Sequence, residues 1–221
     1  DGTELLDLAH AAPAAPVHAL REAYDAALEQ LPRYLPGHGY SLYGLPELRS
    51  AVASRFTSRG LPTTPDQVLV TSGAQHAFSL VLGLVVTQGD RVLVDHPTYP
   101  NALDAARRAG ARLVPVALMD DGWDVEALSA ALRQTAPRLA YLVPEFHNPT
   151  GLLASDGERT ALARELGRAR TLTVVDETLA ELSLGERDIP VPFATYASDK
   201  QIVTIGSASK SFWGGLRVGW L

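Results

Sequence analysis

The residues best suited to chemistry stand near the end of the chain, in Ser207-Ala208-Ser209-Lys210, followed by Gly214, Gly215 and Arg217. A mainly apolar run over residues 202–205 reads as a buried strand and opens directly into them. A lysine placed straight after a buried strand is costly to desolvate as an ammonium. Burial is therefore expected to lower its pKa and to expose the neutral amine as a nucleophile. Ser207, Ser209 and Arg217 are donors of the kind that gather around a phosphate, and Gly214 and Gly215 let backbone come close to a ligand. An amine nucleophile beside a phosphate cradle suggests a Schiff base with a phosphorylated aldehyde, which is the chemistry of pyridoxal phosphate. A surface lysine in a Ser/Gly loop would show the same short motif, so the other segments have to decide.

Four further positions bear on that decision. Ser72-Gly73-Ala74 lies between a short strand at 68–71 and a helix running to about 86, and such a turn offers backbone N–H groups to an anion; plain capping by Ser72 is the competing reading. Asp176 follows an apolar strand at 172–175 and would be buried without a cation unless one is supplied. A protonated pyridine nitrogen is such a cation, and a turn-capping aspartate is the alternative. Asn148, between His147 and Pro149, could donate its amide to a phenolate oxygen or simply make an Asn-Pro turn. Tyr99 could stack its ring on a pyridine or be a half-buried aromatic. His96 and His147 read as structural, and no metal-ligand spacing supports them.

The elements that must position these residues follow from the periodicity. Residues 1–16 are Ala/Pro-rich and extended, as in an arm. A helix is expected over 17–31, with Leu20, Tyr24, Ala27 and Leu31 on one face, and a second from Pro46 to a stop at Gly60. The turn 64–67 precedes the strand at 68–71. Strands are expected at 91–95, 112–117, 138–143, 172–175 and 202–205, with one more beginning at 217. Helices lie between them, Asp124 capping one and Ser155 with Glu158 forming a capping box on another. Residues 190–199 read as a loop. Strands alternating with helices give a mostly parallel sheet covered on both faces, with ligands at the carboxyl ends of its strands. Ser72-Gly73, Tyr99, Asn148, Asp176 and Lys210 all fall at such ends.

Composition agrees with an ordinary globular domain: 221 residues, 46% hydrophobic and 20% charged. A net charge of −6 and a pI near 5.5 give no sign of nucleic-acid binding by this chain. The absence of cysteine excludes disulfides and thiolate metal sites. No apolar run has the length of a membrane span, and the acidic start lacks a signal-peptide core, so a cytoplasmic location is expected.

Taken in order, the segments resemble the fold-type I pyridoxal-phosphate enzymes of the class I/II aminotransferase superfamily. The motifs that carry the resemblance are Tyr43-Gly44-Leu45-Pro46-Glu47-Leu48-Arg49, Ser72-Gly73-Ala74-Gln75, Pro97-Thr98-Tyr99-Pro100, His147-Asn148-Pro149-Thr150-Gly151, Val175-Asp176-Glu177, and Ser207-Ala208-Ser209-Lys210 with Arg217. The details are most similar to the aminotransferase-like domain of MocR-type GntR-family regulators. They include the loop at Gly37-His38-Gly39-Tyr40 and the run Trp213-Gly214-Gly215-Leu216-Arg217.

The resemblance implies an α/β fold with a mostly parallel, seven-stranded-type sheet, an arm, helix and loop over 1–44 and a cofactor-binding large domain over 45–221. Lys210 is implied as the lysine of the internal aldimine and the later general base. Asp176 is implied as the pyridinium partner, Asn148 as donor to the ring oxygen and Tyr99 as the stacking residue. Ser72, Gly73, Ala74, Ser207, Ser209 and Arg217 are implied as phosphate ligands. Tyr40 or Tyr43 would reach the phosphate of a partner subunit, which implies a homodimer.

The sequence departs from the family pattern in three places. Thr178 and Leu179 stand where many members carry a tyrosine that bonds the ring oxygen. No glycine appears over 9–15, where one commonly lies near substrate. The chain stops soon after Lys210, so the family's C-terminal small domain is expected to be missing or truncated, and the regulators' winged-helix domain is not expected within these residues. Two functions are therefore expected to compete: transamination of an amino acid or amine, and effector sensing in a transcription regulator with little turnover.

Overall fold

The computed structural model describes residues 11–183, 189–197 and 201–221. The first ten residues of the expected arm, and Ser198 and Asp199 of the expected loop, lie outside the described residues. The helices are α1 (Val17–Gln30), α2 (Pro46–Ser58), α3 (Ala74–Val85), α4 (Pro100–Arg108), α5 (Val125–Thr135) and α6 (Asp156–Ala169). The strands are β1 (Val70–Thr71), β2 (Arg91–His96), β3 (Arg112–Met119), β4 (Gly122–Trp123), β5 (Leu139–Leu142), β6 (Leu172–Asp176), β7 (Ile202–Ser207) and β8 (Gly219–Trp220). They form one sheet in the order β1-β8-β7-β6-β5-β2-β3-β4. The run β7-β6-β5-β2-β3 is parallel, and the short strands at both edges are antiparallel.

The expected mainly parallel sheet is therefore present, with an eighth strand added. β4 is a two-residue strand paired back onto the end of β3 through Leu118↔Trp123 and Met119↔Gly122, too short to leave a period-2 signal. β7 also differs from the expectation. It runs on to Ser207, and its first three residues are half-buried rather than buried. The two-residue β8 covers only Gly206 and Ser207 on that side, so the start of β7 lacks a neighbouring strand there.

Local signals place the helices well. Asp124 accepts from the Ala127 N–H at 2.8 Å and starts α5. Ser155 and Glu158 form the expected capping box on α6. Alternation along the strands then divides the core into two layers. Val92, Val94, Leu139, Tyr141, Val174 and Ile205 face α3 and α4. Leu93, Ala140, Leu142 and Val175 face α5 and α6. Burying each valine, leucine or isoleucine among them contributes about 1.5–3 kcal/mol. Helix α1 is the exception, because none of its residues is buried and its expected apolar face, with Tyr24 and Leu31, is exposed.

Candidate functional site

The parallel strands deliver their C-terminal ends to one edge of the sheet, and a cavity of about 470 Å³ opens there. Its walls include Gly73 and Ala74 around the start of α3, Tyr99 before α4, Asn148 after β5, Asp176 at the end of β6, Ser207 at the end of β7, and Ser209, Lys210 and Arg217 after it. These are nine of the eleven expected site residues. The other two, Ser72 and Tyr40, do not line it.

At one end the lining is built for an anion. Gly73 is the N-cap of α3 with φ +113°, a conformation open to glycine, and the Thr71 hydroxyl donates to its carbonyl at 3.0 Å. A Cβ on Gly73 would stand 3.3 Å from Arg217 Nη2. β8 passes closer still, since a Cβ on Gly219 would meet Gly73 Cα at 2.4 Å. Arg217 donates through Nη2 to the Ser72 carbonyl at 2.8 Å, which holds the guanidinium across the helix start. Opposite, the Ser207 hydroxyl donates to Ser209 Oγ at 3.0 Å and accepts from the Ser209 N–H at 3.1 Å. The competing reading of Ser72 as a helix cap does not hold. Ser72 is exposed and makes no cap, and its backbone N–H donates to His76 Nδ1 at 3.1 Å. The positive φ of Gly73 moves the cap one residue onward, leaving Ser72 to contribute its carbonyl.

Asp176 is held by two neutral donors. The Thr178 N–H donates to Oδ1 at 2.9 Å, and the Tyr141 hydroxyl donates to Oδ2 at 2.8 Å. None of the ion pairs among the described residues includes it, so the cation expected beside a strand-end carboxylate is not one of this chain's described side chains. Tyr141 is a site residue that the sequence reading misses. Its signal is a phenol inside an aliphatic strand, whose buried hydroxyl needs a partner. Burial and the Asp176 charge together push its pKa well above the usual value, so it remains a donor.

Lys210 lies in a single wide turn over Ser209–Trp213. It is half-buried rather than buried, because β7 ends three residues before it and the lysine projects from the following turn. Its Nζ donates to the Ala11 carbonyl, and Ala12 joins the cavity wall, so the Ala/Pro arm does reach the site without a glycine. Tyr99 is half-buried, and its hydroxyl accepts from Asn101 Nδ2 at 2.7 Å. Gln75 Nε2 in turn donates to the Asn101 carbonyl at 3.1 Å. Gln75 and Asn101 also line the cavity, and the sequence hides them because polar residues in a helix's first turn are ordinary. Thr178 and Leu179, the departures from the family tyrosine, line it too. Tyr40 is 89% exposed and is not part of the cavity wall, while Tyr43 sits 5.7 Å from the Arg49 guanidinium.

On the other face of the same edge lies a buried polar cluster. Arg159 Nη1 pairs with Glu145 Oε1 at 2.8 Å, and Arg59 Nη1 pairs with Glu177 Oε2 at 2.9 Å. Burial raises the pKa of both glutamates, and the Glu177 charge raises Glu145 further. Asp95 accepts from Trp123 Nε1 and from the Val143 N–H, each at 3.1 Å, and burial pushes it up to about 7. His147 Nε2 lies 3.8 Å from Asp95, and burial pushes His147 down to about 4. His147 also meets Thr150 Oγ1 at 2.9 Å, which supports the structural reading of this histidine. Among the described residues no cluster could hold a metal ion, and no helix is long and apolar enough to cross a membrane.

The donor set fits pyridoxal phosphate. Backbone N–H groups, two serines and an arginine suit a phosphate at one end of the cavity, a carboxylate with no cation of its own suits a pyridinium, and a lysine is present on the same wall. Comparison with known proteins agrees. The sequence model of the aminotransferase class I and II family matches residues 5–221. A 2-aminoadipate transaminase from Thermus thermophilus is 35% identical over 217 residues, covering 97% of this chain and 51% of the relative. The probable rhizopine catabolism regulatory protein MocR of Rhizobium meliloti is 30% identical over 188 residues, covering 83% of this chain and 37% of that one. The crystal structure of LysN, an alpha-aminoadipate aminotransferase from Thermus thermophilus complexed with N-(5'-phosphopyridoxyl)-L-leucine, superposes with a TM-score of 0.87 at 31% identity, covering 99% of this chain and 56% of that one. The chain thus spans about half or less of the relatives it matches. A family model that matches nearly the whole of this chain, together with this fold and this cavity, places the chain in the class I and II aminotransferase family, whose cofactor is pyridoxal phosphate.

Proposed function

We propose that this chain is the cofactor-binding part of an aminotransferase acting on an amino acid or amine. The observation that carries the reading is the opening of Lys210, Asp176 and the Ser207/Ser209/Arg217 cradle onto one cavity. Bound pyridoxal phosphate supplies an electron sink that stabilises negative charge at the substrate α-carbon. Lys210 is the point of covalent attachment and, once released, its Nζ takes the α-proton of the substrate. Asp176 pairs with the protonated ring nitrogen, and Asn148 donates to the ring oxygen. Tyr99 covers one ring face. Gly73, Ala74, Ser207, Ser209 and Arg217 hold the phosphate. Helix α1, with no buried residue, and the exposed Tyr40 suit a second copy of the chain, with Tyr40 reaching that copy's site. A cytoplasmic location and a lack of nucleic-acid contact by this chain belong to the same reading.

A second reading is favoured by Thr178 and Leu179 on the cavity wall and by regulators among the relatives. In it the same site binds an amino compound and reports it to a transcription regulator with little turnover. One experiment tests both. The protein is loaded with pyridoxal phosphate, its visible absorbance is followed with a panel of amino acids, and oxoacid release is measured. Conversion to the pyridoxamine form with oxoacid release supports transamination. A spectral shift that persists without oxoacid supports sensing. Borohydride should fix the cofactor on Lys210, and Lys210→Ala should abolish that fixation. Equal fixation in the variant would overturn the assignment of Lys210.

A further inference from the structure

We propose that Tyr141 is a positioning residue for Asp176: its hydroxyl fixes the carboxylate while leaving its negative charge unspent for a cationic ring. The inference rests on the proposed function in one respect, the identity of that ring as the cofactor's pyridinium.

The geometry is specific. Tyr141 pairs in register with Val174 on β6, so Asp176 lies two residues further along the neighbouring strand, on the same sheet face. Such a diagonal neighbour is within reach of a long side chain but not of a short one. A tyrosine has the required length, and its hydroxyl arrives at Asp176 Oδ2 at 2.8 Å. The ring is itself fixed. It is 1% exposed and packs in the α3/α4 core layer against Phe78, with centroids 4.7 Å apart at 44°. The Thr178 N–H holds the other oxygen at 2.9 Å from a different direction. Two donors on separate segments therefore stop rotation of the carboxylate.

The choice of a neutral donor matters. Each carboxylate oxygen has two lone pairs, so one bond to each leaves an acceptor site on both. An arginine in the place of Tyr141 would orient the group equally well but would satisfy its charge. That arrangement exists one residue away, where Glu177 is paired with Arg59. Asp176 meets only neutral donors within the described chain and lines the cavity.

The test is a double-mutant cycle on cofactor-stripped protein, reading the Kd of pyridoxamine phosphate, which has no aldehyde to bond to Lys210. Four proteins are compared: wild type, Tyr141→Phe, Asp176→Asn and the double variant. Tyr141→Phe should weaken binding by about tenfold in the wild-type background, the scale of one hydrogen bond to a charged group. In the Asp176→Asn background the same change should alter Kd by less than about twofold, because the residue acts through Asp176. A purely structural role would weaken both backgrounds alike, and that result, or no effect in either, overturns the proposal. Tyr141→Phe keeps the ring packed on Phe78. Should it fail to fold, Tyr141→Met, which fills most of the space without a donor, takes its place in the cycle. Folded wild type that binds no pyridoxamine phosphate would overturn the proposed function and this inference together. Binding with additive effects would overturn this inference alone.

Discussion

The two faces of the sheet treat acids in opposite ways at the same edge. Asp176 and Glu177 are consecutive, and strand alternation sends one toward α3 and Tyr141 and the other toward α6 and Phe193. On the α6 face each buried carboxylate among the described residues meets at least one chain donor, although Glu145 Oε2 has no hydrogen-bond partner. Glu177 takes Arg59 and the Phe193 N–H, Glu145 takes Arg159, and Asp95 takes Trp123 and Val143. On the α3 face Asp176 meets only a phenol and an amide and opens onto the cavity. A carboxylate satisfied within the chain serves the fold. One that lacks a cation and also opens onto a cavity, as Asp176 does and the buried Asp95 does not, is placed for a ligand, at some cost to stability.

The largest effect should come from breaking the ion pairs of the α6 face. Arg159 is 2% exposed and also donates to the Ala154 and Val191 carbonyls, at 2.8 and 3.1 Å. Arg159→Met leaves Glu145 buried beside Glu177 with its own cation gone. Removing one partner of a buried pair costs roughly 3–5 kcal/mol. For a domain of this size that lowers Tm by about 10 °C. An unchanged Tm would mean that this cluster is not structural and that the contrast between the faces is false.

A smaller effect is expected from Asp95, and it is read in pH. Its folded pKa of about 7 lies above the unfolded value near 3.9. From about pH 4 to 7 the folded chain therefore holds a proton that the unfolded chain releases, and stability falls as pH rises. His147, at about 4 folded and about 6.5 unfolded, acts in the opposite sense over most of that window. The two slopes nearly cancel between about pH 4 and 6.5. Asp95→Asn removes the falling slope, so the variant's stability relative to wild type should rise by about 1.4 kcal/mol per pH unit there. Urea midpoints measured across that range check it. Parallel curves for the two proteins would show that Asp95 does not hold its proton.

Much of the edge is legible in the sequence because turn chemistry sits at strand ends. Asn148-Pro149, Ser207 to Lys210 and the Ser155/Glu158 box are local signals, and local signals survive in a sequence. What stays hidden depends on register or on long separation. Tyr141 reaches Asp176 only because β5 and β6 are adjacent and in this register. Arg59 and Glu177 are far apart in sequence and meet only once α2 packs near the end of β6. Ser72 also reads as a helix cap, because the positive φ of Gly73 that takes the cap position cannot be seen in a residue list. The apolar face of α1 is legible as a pattern, but a pattern does not say what covers it.

The finest test of the contrast compares the same chemical change at neighbouring positions. Asp176→Asn keeps an oxygen for the Thr178 N–H, and the Tyr141 hydroxyl can accept from the new amide, so both contacts survive in altered form. Stability should change by less than about 1 kcal/mol. Glu177→Gln, by contrast, leaves Arg59 facing a neutral amide in a buried site and should cost about 3 kcal/mol. Binding should invert this order. Pyridoxamine phosphate loses its anionic partner in Asp176→Asn and should bind at least about tenfold more weakly, whereas folded Glu177→Gln should bind within about threefold of wild type, since Glu177 does not line the cavity. If Asp176→Asn instead destabilised the fold as much as Glu177→Gln and left binding intact, Asp176 would belong with the structural acids of the other face, and the cavity's claim to a cationic ring would fall with it.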